Sequence, residues 1–428
     1  MHFSEAIDYL YSRLPVFHRI GSKALKPGLD NTLQLCAELG NPQTKFRSIH
    51  VGGTNGKGST AHMLAAVYQS AGYRVGLYTS PHLKSFTERI RINGQPISED
   101  VVAEFVTRHQ SLIETIEPSF FEVSVAMAFD YFAQAAVDIA IVEVGLGGRL
   151  DSTNIITPLM SVITNIGYDH TEILGDTLPA IAAEKAGIIK PGVPVVISET
   201  QTETTPVFSK KASDEQAPIL FADTRYTVLD DGLANGVRQV RVTRDGMPPI
   251  ALDLALAGTY QLRNLPGVLA AIDGLQSLLP VAEADLRYGL RSVVLLTGLL
   301  GRFQQLVGSP LVIVDTAHNE PGLQAMMETV ALMDYSRLHI IIGVVSDKSA
   351  GPLLEALPSQ AIYYFCQADS PRALPAMLLQ TEGYALGRYG ESYSNVNVAL
   401  EAAREEALPT DLILITGSNY VVAELTDL

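Results

Sequence analysis

The chain has 428 residues, of which 47% are apolar and 18% are charged, a balance that excludes an intrinsically disordered protein. At roughly 150 residues per domain, this length predicts two or three domains. The 30 basic and 46 acidic residues leave a formal charge of −16, so nucleic acid and anionic membranes are excluded as general partners. An anionic substrate therefore needs a local cationic pocket.

The first residues and the cysteine content indicate the compartment. Residues 1–6 lack the basic head and apolar run of a signal peptide, and no apolar stretch approaches the ~20 residues that span a bilayer. Two cysteines, Cys36 and Cys366, are too few for a disulfide framework and fit a reducing compartment. We therefore expect a cytoplasmic protein.

In the first half of the chain, short β-branched runs alternate with longer helical patterns. This alternation is typical of α/β units around a mostly parallel sheet. The predicted strands are residues 48–51, 75–78, 139–144, 161–164 and 194–197. The predicted helices between them are residues 60–71, 99–116 and 178–189.

From residue 225 to residue 256, alternating Thr, Val and Arg with Asp-Gly turns predict antiparallel hairpins, an appendage to the first domain. Predicted helices at 261–279 and 282–292 follow this stretch.

A second alternating set begins near residue 311. Its predicted strands are 311–314, 339–344, 362–365 and 412–415, and its predicted helices are 323–333, 374–380 and 398–407. A glycine-containing joint at 297–301 divides the chain into domains 1–296 and 297–428. The predicted fold class is α/β with two domains: an N-terminal P-loop-type sheet with an antiparallel appendage, and a smaller Rossmann-like C-terminal domain.

The strand at 48–51 runs into the stretch GGTNGKGST at 52–60 and then into a helix. Glycines let backbone N–H groups converge on phosphate oxygens, and the helix dipole favours their negative charge. Lys57 would reach the terminal phosphates, and Ser59 would offer Mg²⁺ a hydroxyl, with Thr60 as the alternative because Gly58 directly follows the lysine. The other interpretation is an ordinary glycine turn. The predicted ATP contacts here are Thr54, Asn55, Gly56, Lys57, Gly58, Ser59 and Thr60.

Further strings follow the loop in a fixed order. They are TSPHL at 79–83, ERIRI at 88–92, EVGLGGRLD at 143–151, DH at 169–170, EKAGI at 184–188, GRF at 301–303 and DTAHN at 315–319. Together with TNGKGS at 54–59, this set resembles the folylpolyglutamate synthase/dihydrofolate synthase family, which belongs with the Mur ligases. The loop alone fits many ATPases, whereas the ordered set is specific and covers essentially the whole chain.

The resemblance implies a ligase that joins the amine of L-glutamate to the carboxylate of dihydropteroate or tetrahydrofolate with consumption of ATP. The implied route is an acyl phosphate, formed with release of ADP and then attacked by the amine. Residues 1–296 would be an ATP-binding Mur-ligase-like central domain, and residues 297–428 a glutamate-ligase domain. The resemblance also implies a monomer that acts on small molecules in folate biosynthesis and one-carbon metabolism.

The family places two Mg²⁺ ions beside the phosphates, since phosphoryl transfer depends on charge neutralisation. The loop pattern predicts Ser59 as a ligand, and the resemblance implies Glu143 as another and assigns Ser80 and His170 to the second ion. Taken from the residues alone, Glu143 can instead pair with Arg149, His170 can be a capping or core histidine, and Ser80 can be a turn serine.

Lys185 lies in a predicted helix, where the simplest interpretation is a surface or salt-bridging lysine. The family carries a carbamylated lysine at this position, which would turn a cation into an oxygen ligand for the second metal. With Lys57 and His318, Lys185 completes the predicted catalytic set.

Two segments resemble pterin-binding segments of the family, and an aromatic pair beside a carboxylate can stack a flat ring and bind its edge. Their residues are Phe120, Phe121 and Glu122 in one segment and Leu150, Asp151 and Ser152 in the other. The alternative for the aromatic pair is the start of an amphipathic helix. Residues 28–31 fall where the family has another pterin contact, although Asn31 departs from a more usual basic residue.

In the second half of the chain the resemblance assigns individual residues. Asn264, Arg302 and Asp315 match nucleotide contacts of the family. His318 would contact the acyl phosphate or the incoming glutamate, and Ser418 would help bind glutamate.

Other functions remain as alternatives. A related ligase for a cell-wall acid would be expected to carry an additional N-terminal domain, for which the residues before the loop leave no room. A P-loop kinase or regulatory ATPase would not need Asp315 and His318. A non-enzymatic ATP-binding module would have no use for two metal sites.

Overall fold

The computed structural model describes residues 1–17, 21–24, 26, 28–234, 236–346 and 349–428. It separates into two compact units. Unit 1 comprises Met1–Ala255 and Gln261–Leu299, and unit 2 comprises Leu256–Tyr260 and Leu300–Leu428. The sequence prediction did not assign Leu256–Tyr260, which lie between two stretches of unit 1, to unit 2. The functional domains 1–296 and 297–428 stay a prediction.

Unit 1 is built on an eight-stranded sheet in the order β4-β3-β2-β5-β1-β6-β7-β8. Its strands are β1 (Ser48–Gly52), β2 (Val75–Tyr78), β3 (Ile90–Ile92), β4 (Gln95–Pro96), β5 (Ile139–Glu143), β6 (Met160–Ile163), β7 (Val195–Ile197) and β8 (Ile219–Phe221). β3 pairs antiparallel with both β2 and β4, and the other pairs are parallel. The central strands are buried at every position, as expected where both faces of a parallel sheet are covered.

Helices cover this sheet. They are α1 (Phe3–Arg13), α2 (Asp30–Glu38), α3 (Lys57–Ser70), α4 (Glu99–Ile116), α5 (Phe120–Gln134), α6 (Thr171–Leu174), α7 (Leu178–Lys185), α8 (Thr205–Asp214), α9 (Gln261–Gly274), α10 (Glu283–Arg291) and α11 (Val293–Thr297). Short 3₁₀ turns add Gly21–Ala24, Pro42–Thr44, Phe86–Arg89, Ser152–Ile155, Ala186–Ile188 and Ala222–Thr224. One apolar cluster packs α1, α2, α4 and α5 together, and another packs β6 and β7 with α7 and α8.

The predicted antiparallel appendage is a three-stranded sheet of β9 (Tyr226–Ala234), β10 (Val237–Arg244) and β11 (Met247–Leu254), in the order β11-β10-β9. Asn235, inside the predicted stretch, lies outside the described residues.

Unit 2 contains a six-stranded sheet in the order β12-β13-β17-β14-β15-β16, in which β12 alone runs antiparallel to its neighbour. Its strands are β12 (Gln304–Leu306), β13 (Leu311–Val314), β14 (Leu338–Ile342), β15 (Ile362–Phe365), β16 (Gly390–Ser392) and β17 (Leu412–Thr416). Its helices are α12 (Glu320–Val330), α13 (Ala350–Glu355), α14 (Ala376–Ala385), α15 (Val396–Glu406) and α16 (Asn419–Ala423). The two sheets confirm the predicted fold class.

Several helices differ at their ends from the sequence prediction, and local contacts explain the differences. α12 and α15 begin earlier because Asn319 and Asn395 cap them, each accepting hydrogen bonds from backbone N–H groups of the first turn. The helix predicted for 178–189 ends at Lys185, because Gly187 lies directly against the backbone of Arg149. α14 begins at Ala376, after Leu374 has bonded through its N–H to Val344.

No predicted helix covers α1, α2, α5, α6, α8, α11, α13 or α16, and no predicted strand covers β3, β4, β8, β12 or β16. Most of these elements are short or lie at edges, where the apolar pattern is weak, whereas α5 is buried along most of its length and so lacks a clear amphipathic repeat. Among the described helices, none combines the length and apolar character needed to cross a membrane.

Candidate active site

Four neighbouring strands of unit 1 end at one edge of the sheet, and each is followed by a predicted site segment. In the order β2-β5-β1-β6, the strands lead into Ser80, Glu143, the loop at 52–60 and the segment containing His170. Val51 pairs with Glu143, and Gly52 with Ile163, so the strand ends are level. The carboxyl edge of a parallel sheet is where such folds bind ligands.

The phosphate loop closes on the first turn of α3. Gly56 precedes the helix with φ of 85°, and a Cβ there would come 2.2 Å from the side-chain oxygen of Asn264. Lys57 is the first helical residue, and its Nζ donates to the carbonyls of Gly53 at 3.1 Å and Thr54 at 2.9 Å. Strand, glycine turn and buried helix are present as predicted, but α3 begins three residues before the predicted start, because glycines carry no apolar periodicity.

Ser59 and Asn264 are joined by a residue that sequence reasoning did not select. The side-chain amide of Gln261 donates to Ser59 Oγ at 3.1 Å, and its oxygen accepts from Asn264 Nδ2 at 2.8 Å. All three side chains are buried. The structure therefore brings the predicted metal ligand and the predicted nucleotide contact into one network.

Lys185 is buried, with 4% of its surface exposed, so the alternative of a surface lysine is wrong. Its Nζ donates to Gly53 O at 2.8 Å, the same carbonyl that Lys57 contacts. Burial, followed by repulsion from Lys57, lowers the pKa of Lys185 to about 7, although Asp169 and Asp151 act in the opposite direction. The edge therefore pairs the half-buried ammonium group of Lys57 with a buried amine that is partly neutral at pH 7.

The predicted metal ligands are oxygen donors, apart from the imidazole nitrogen of His170. Glu143 is 5% exposed, and its Oε2 accepts from the backbone N–H of Ser80 at 3.1 Å. Arg149 forms its ion pair with Glu184 at 2.9 Å, rather than with Glu143. His170 precedes α6 with φ of 50°, and its Nε2 lies 3.8 Å from Asp169 Oδ2.

Within the described residues, no three His, Cys, Asp or Glu side chains gather in one metal-binding group. Mg²⁺ is usually held by one or two carboxylates together with waters and substrate phosphates. Glu143, the Ser59 hydroxyl and the adjacent phosphate loop fit that donor set.

Asp151 is buried and holds its own loop together. Its Oδ2 accepts from Leu146 N at 2.8 Å, and its Oδ1 accepts from the N–H and hydroxyl of Thr153. Burial raises the pKa of Asp151, while these hydrogen bonds lower it. Ser152 is also buried, whereas Leu150 is 47% exposed. The pterin role of these residues stays a prediction.

The other predicted pterin segment opens α5. Phe120 stacks on Tyr11 with ring centroids 4.9 Å apart and belongs to the apolar core. Phe121 is half-buried and lies against Gly145. Glu122 is buried, accepts from Ser119 N at 2.6 Å, and contacts Asn31 Nδ2 at 3.4 Å. The helix-start interpretation is therefore correct for this pair, and a pterin contact stays a prediction.

In unit 2, Asp315 follows β13 and is buried. Its Oδ2 accepts from the Tyr260 hydroxyl at 2.7 Å and from Phe303 N at 2.9 Å, and its Oδ1 accepts from Ala317 N at 2.8 Å. Burial raises the pKa of Asp315, and Tyr260 and then Arg302 act against that rise. Arg302 and Asp315 thus interact within one unit.

His318 and Ser418 follow β13 and β17, which are parallel neighbours. His318 Nδ1 lies 2.9 Å from Thr316 O, so in the neutral ring Nδ1 carries the hydrogen and Nε2 the lone pair. Ser418 caps α16 by accepting from Tyr420 N at 3.1 Å. Both residues lie at the carboxyl edge of the second sheet.

Three residues of the site were missed by sequence reasoning: Asn165, Tyr260 and Gln261. Gln261 and Tyr260 lie three and four residues before Asn264, so their spacing from a predicted contact was the available signal. For Asn165 the available signal was its position between β6 and the DH pair at 169–170.

Comparisons with known proteins agree with this geometry. The Mur ligase middle domain matches residues 51–272, and the Mur ligase glutamate ligase domain matches residues 301–419. Dihydrofolate synthase/folylpolyglutamate synthase of Bacillus subtilis is 33% identical over 435 residues, which cover 99% of this chain and 98% of that protein.

Two solved structures share the whole fold. E. coli FolC in complex with DHPP and ADP superposes with a TM-score of 0.86 and 31% identity, covering 99% of this chain and 96% of that one. The bifunctional folylpolyglutamate synthase/dihydrofolate synthase of Yersinia pestis, complexed with AMPPNP and Mn ion, gives a TM-score of 0.85 and 29% identity, with 99% and 97% covered. The chain therefore belongs to the folylpolyglutamate synthase/dihydrofolate synthase family of Mur ligases, and it is an ATP-dependent, ADP-forming ligase.

Proposed function

We propose that this chain adds L-glutamate both to dihydropteroate and to tetrahydrofolate and its polyglutamates, through an acyl phosphate. The observation that carries the proposal is the meeting of Lys57 and Lys185 at the carbonyl of Gly53, 3.1 Å and 2.8 Å away. In a chain of formal charge −16, the half-buried ammonium group of Lys57, together with the helix N-terminus that it begins, forms a site for a polyanion.

In the first step a carboxylate oxygen of the pterin substrate attacks the terminal phosphorus of ATP, and ADP leaves. Lys57 is placed to balance the charge that develops on the transferred group. In the second step the amine of L-glutamate attacks the acyl carbon, loses a proton and expels inorganic phosphate. The product is an amide. His318, whose Nε2 carries the lone pair, is the candidate to contact the acyl phosphate or the amine.

Two Mg²⁺ ions fit the residues at the edge of unit 1. Ser59 and Glu143 would hold one ion, and Ser80 and His170 would contribute to the other. Bound Mg²⁺ supplies charge neutralisation for the phosphates.

We further propose that Lys185 is carbamylated. Its neutral amine would attack CO₂, form a C–N bond and release one proton, which leaves an anionic carbamate. The depressed pKa of about 7 supplies the neutral amine near physiological pH. The exchange removes the repulsion between Lys185 and Lys57 and adds oxygen ligands for the second ion.

The remaining predicted residues complete the assignment. Asn264, Arg302 and Asp315 would contact the nucleotide, and Ser418 the incoming glutamate. The pterin would lie against the segments at 120–122 and 150–152. We also propose that the protein acts as a monomer in the cytoplasm, in line with its acidic charge and reduced, buried cysteines.

The test is an assay of ADP formation. The purified protein is incubated with ATP, Mg²⁺ and L-glutamate, and either dihydropteroate or tetrahydrofolate is added. We expect ADP to form with each acceptor and only when both glutamate and acceptor are present. Equal ADP formation without a pterin would favour an ATPase. Turnover with tetrahydrofolate alone would remove the dihydrofolate synthase part.

A further inference from the structure

The loop that follows β6 is bonded directly to the phosphate loop. Asn165 accepts from Thr54 N through its backbone oxygen at 2.8 Å, and from Asn55 N through its side-chain Oδ1 at 3.0 Å. The Thr54 hydroxyl accepts from Gly167 N at 3.0 Å and donates to Gly167 O at 3.2 Å. Four hydrogen bonds therefore join residues 54–55 to residues 165–167.

These bonds decide which backbone groups of the phosphate loop face a ligand. The N–H groups of Thr54 and Asn55 donate to Asn165, so the N–H groups that cradle a phosphate are those from Gly56 into the first turn of α3. Thr54 and Asn55 then shape the loop through their contacts with the neighbouring segment.

The two segments are also in steric contact. At Gly53, with φ of +133°, an added Cβ would lie 1.9 Å from the hydroxyl oxygen of Thr164. That hydroxyl donates to Asn55 O at 2.6 Å. Because close-packed groups transmit small displacements, a shift of either segment moves the other.

The loop that follows β6 is also bonded to a second part of unit 1, at Gln201. Gln201 holds Ile166 by both amide atoms: its Oε1 accepts from Ile166 N at 2.8 Å, and its Nε2 donates to Ile166 O at 2.8 Å. Only Tyr168 and Asp169 separate Gly167 from His170. Residues 165–170 are thus bonded to Gln201 on one side and to the phosphate loop on the other, and they end at His170, the candidate ligand of the second metal.

We propose that Asn165 is a positioning residue that fixes the phosphate loop relative to His170, and so sets the distance between the nucleotide phosphates and the second-metal site. Its side chain acts through the N–H of Asn55, and its backbone oxygen, which Asn165→Ala keeps, accepts from the N–H of Thr54. The assignment rests on the proposed function only in the role given to His170.

The test replaces Asn165 by Ala and compares two measurements, the calorimetric Kd for Mg·ADP and the steady-state constants. We expect Asn165→Ala to weaken Mg·ADP binding and to lower kcat/KM for ATP by about tenfold to hundredfold, because a displaced loop misaligns the reacting phosphate. KM for L-glutamate should change by less than about twofold. Unchanged ADP binding and kcat/KM in the folded variant would overturn the proposal.

Gln276→Ala is the matched control. The amide of Gln276 also donates to and accepts from one backbone residue, Val281, at 3.0 Å and 3.1 Å. A loss of ADP affinity in this control equal to that of Asn165→Ala would indicate a general effect on stability and overturn the positioning role.

A second variant keeps the proposal testable if Asn165→Ala fails to fold. Gln201→Ala removes both hydrogen bonds to Ile166 and leaves Asn165 and the phosphate loop unchanged in sequence. We expect Gln201→Ala to lose ADP affinity in the same direction as Asn165→Ala, and the double variant to bind ADP no more weakly than the weaker-binding single variant. Unchanged ADP affinity in folded Gln201→Ala would contradict the proposal.

The two proposals fail separately. If the parent protein forms no ADP in response to a pterin, the proposed function falls, and the Mg·ADP titrations still test the positioning by Asn165.

Discussion

The carboxyl edges of the two parallel sheets are built in opposite ways. In unit 1, consecutive residues from Gly52 to Thr60 form the loop, and Lys57 within it meets the buried Lys185 at the carbonyl of Gly53. In unit 2, Asp315 and His318 follow β13 and Ser418 follows β17, and Asp315 is held by Tyr260 from a distant part of the sequence. A phosphate cradle needs adjacent N–H groups and is therefore contiguous, whereas single side chains suffice for the second edge.

The two edges also differ in charge. Unit 1 combines Lys57 and the buried Lys185 with the buried carboxylate of Glu143 at its edge, whereas unit 2 buries the carboxylate of Asp315. We therefore expect that a change in unit 1 lowers the rate of phosphoryl transfer, and that a change in unit 2 chiefly affects nucleotide affinity. The following predictions test that contrast.

Lys57→Ala should have the largest effect. It removes a cation directed at developing phosphate charge, and we expect turnover to fall by at least ~100-fold. ADP release under saturating substrates measures it. Lys210→Ala, which removes an exposed lysine paired with Asp214, is the control and should leave turnover unchanged. Retained turnover in Lys57→Ala would mean that the loop does not act on phosphate.

Glu143→Gln keeps an acceptor for the N–H of Ser80 and removes the negative charge. We expect the Mg²⁺ concentration for half-maximal activity to rise by about tenfold or more, because Mg²⁺ prefers a carboxylate to an amide. Activity is titrated against Mg²⁺, and circular dichroism verifies the fold. An unchanged Mg²⁺ titration would count against the ligand role.

The amine of Lys185 should make the rate depend on pH and CO₂. With a pKa of about 7, it is mostly neutral above that pH and protonated below it, so carbamate formation is lost as the pH falls. From about pH 8 to about pH 6 we expect roughly a tenfold decrease in the neutral fraction. Nuclear magnetic resonance with ¹³CO₂ should show a carbamate signal that Lys185→Met abolishes. Its absence in the parent would refute carbamylation.

Tyr260→Phe should have the smallest effect, on the edge of unit 2. It removes one hydrogen bond to Asp315, and we expect KM for ATP to rise by about threefold to tenfold with little change in kcat. The hydroxyl lowers the pKa of Asp315, so its loss should raise that pKa further and move the acid limb of kcat/KM to higher pH.

Tyr363→Phe is the matched control for this variant. Its hydroxyl donates to Pro358 O at 2.7 Å within the core of unit 2, so its loss should leave KM for ATP unchanged. An equal change of KM in both tyrosine variants would show that the effect is not specific to Asp315.

The sequence alone predicted the phosphate loop and nine strands, because each is a contiguous pattern of apolar or glycine residues. The strands are β1, β2, β5, β6, β7, β13, β14, β15 and β17. The sequence also placed the candidate ligands at strand ends. It misplaced helix starts, since a capping asparagine or a glycine precedes the apolar repeat and does not belong to it.

Tertiary structure alone decided the partners of those residues. Asn165 bonds the phosphate loop, Gln261 bonds Ser59, and Tyr260 bonds Asp315. No local sequence pattern marks these three residues, because a hydrogen bond between distant segments leaves no periodicity in the sequence. Burial of Lys185 beside Lys57 is likewise a product of packing, and it changes an ordinary helical lysine into an amine with a pKa of about 7.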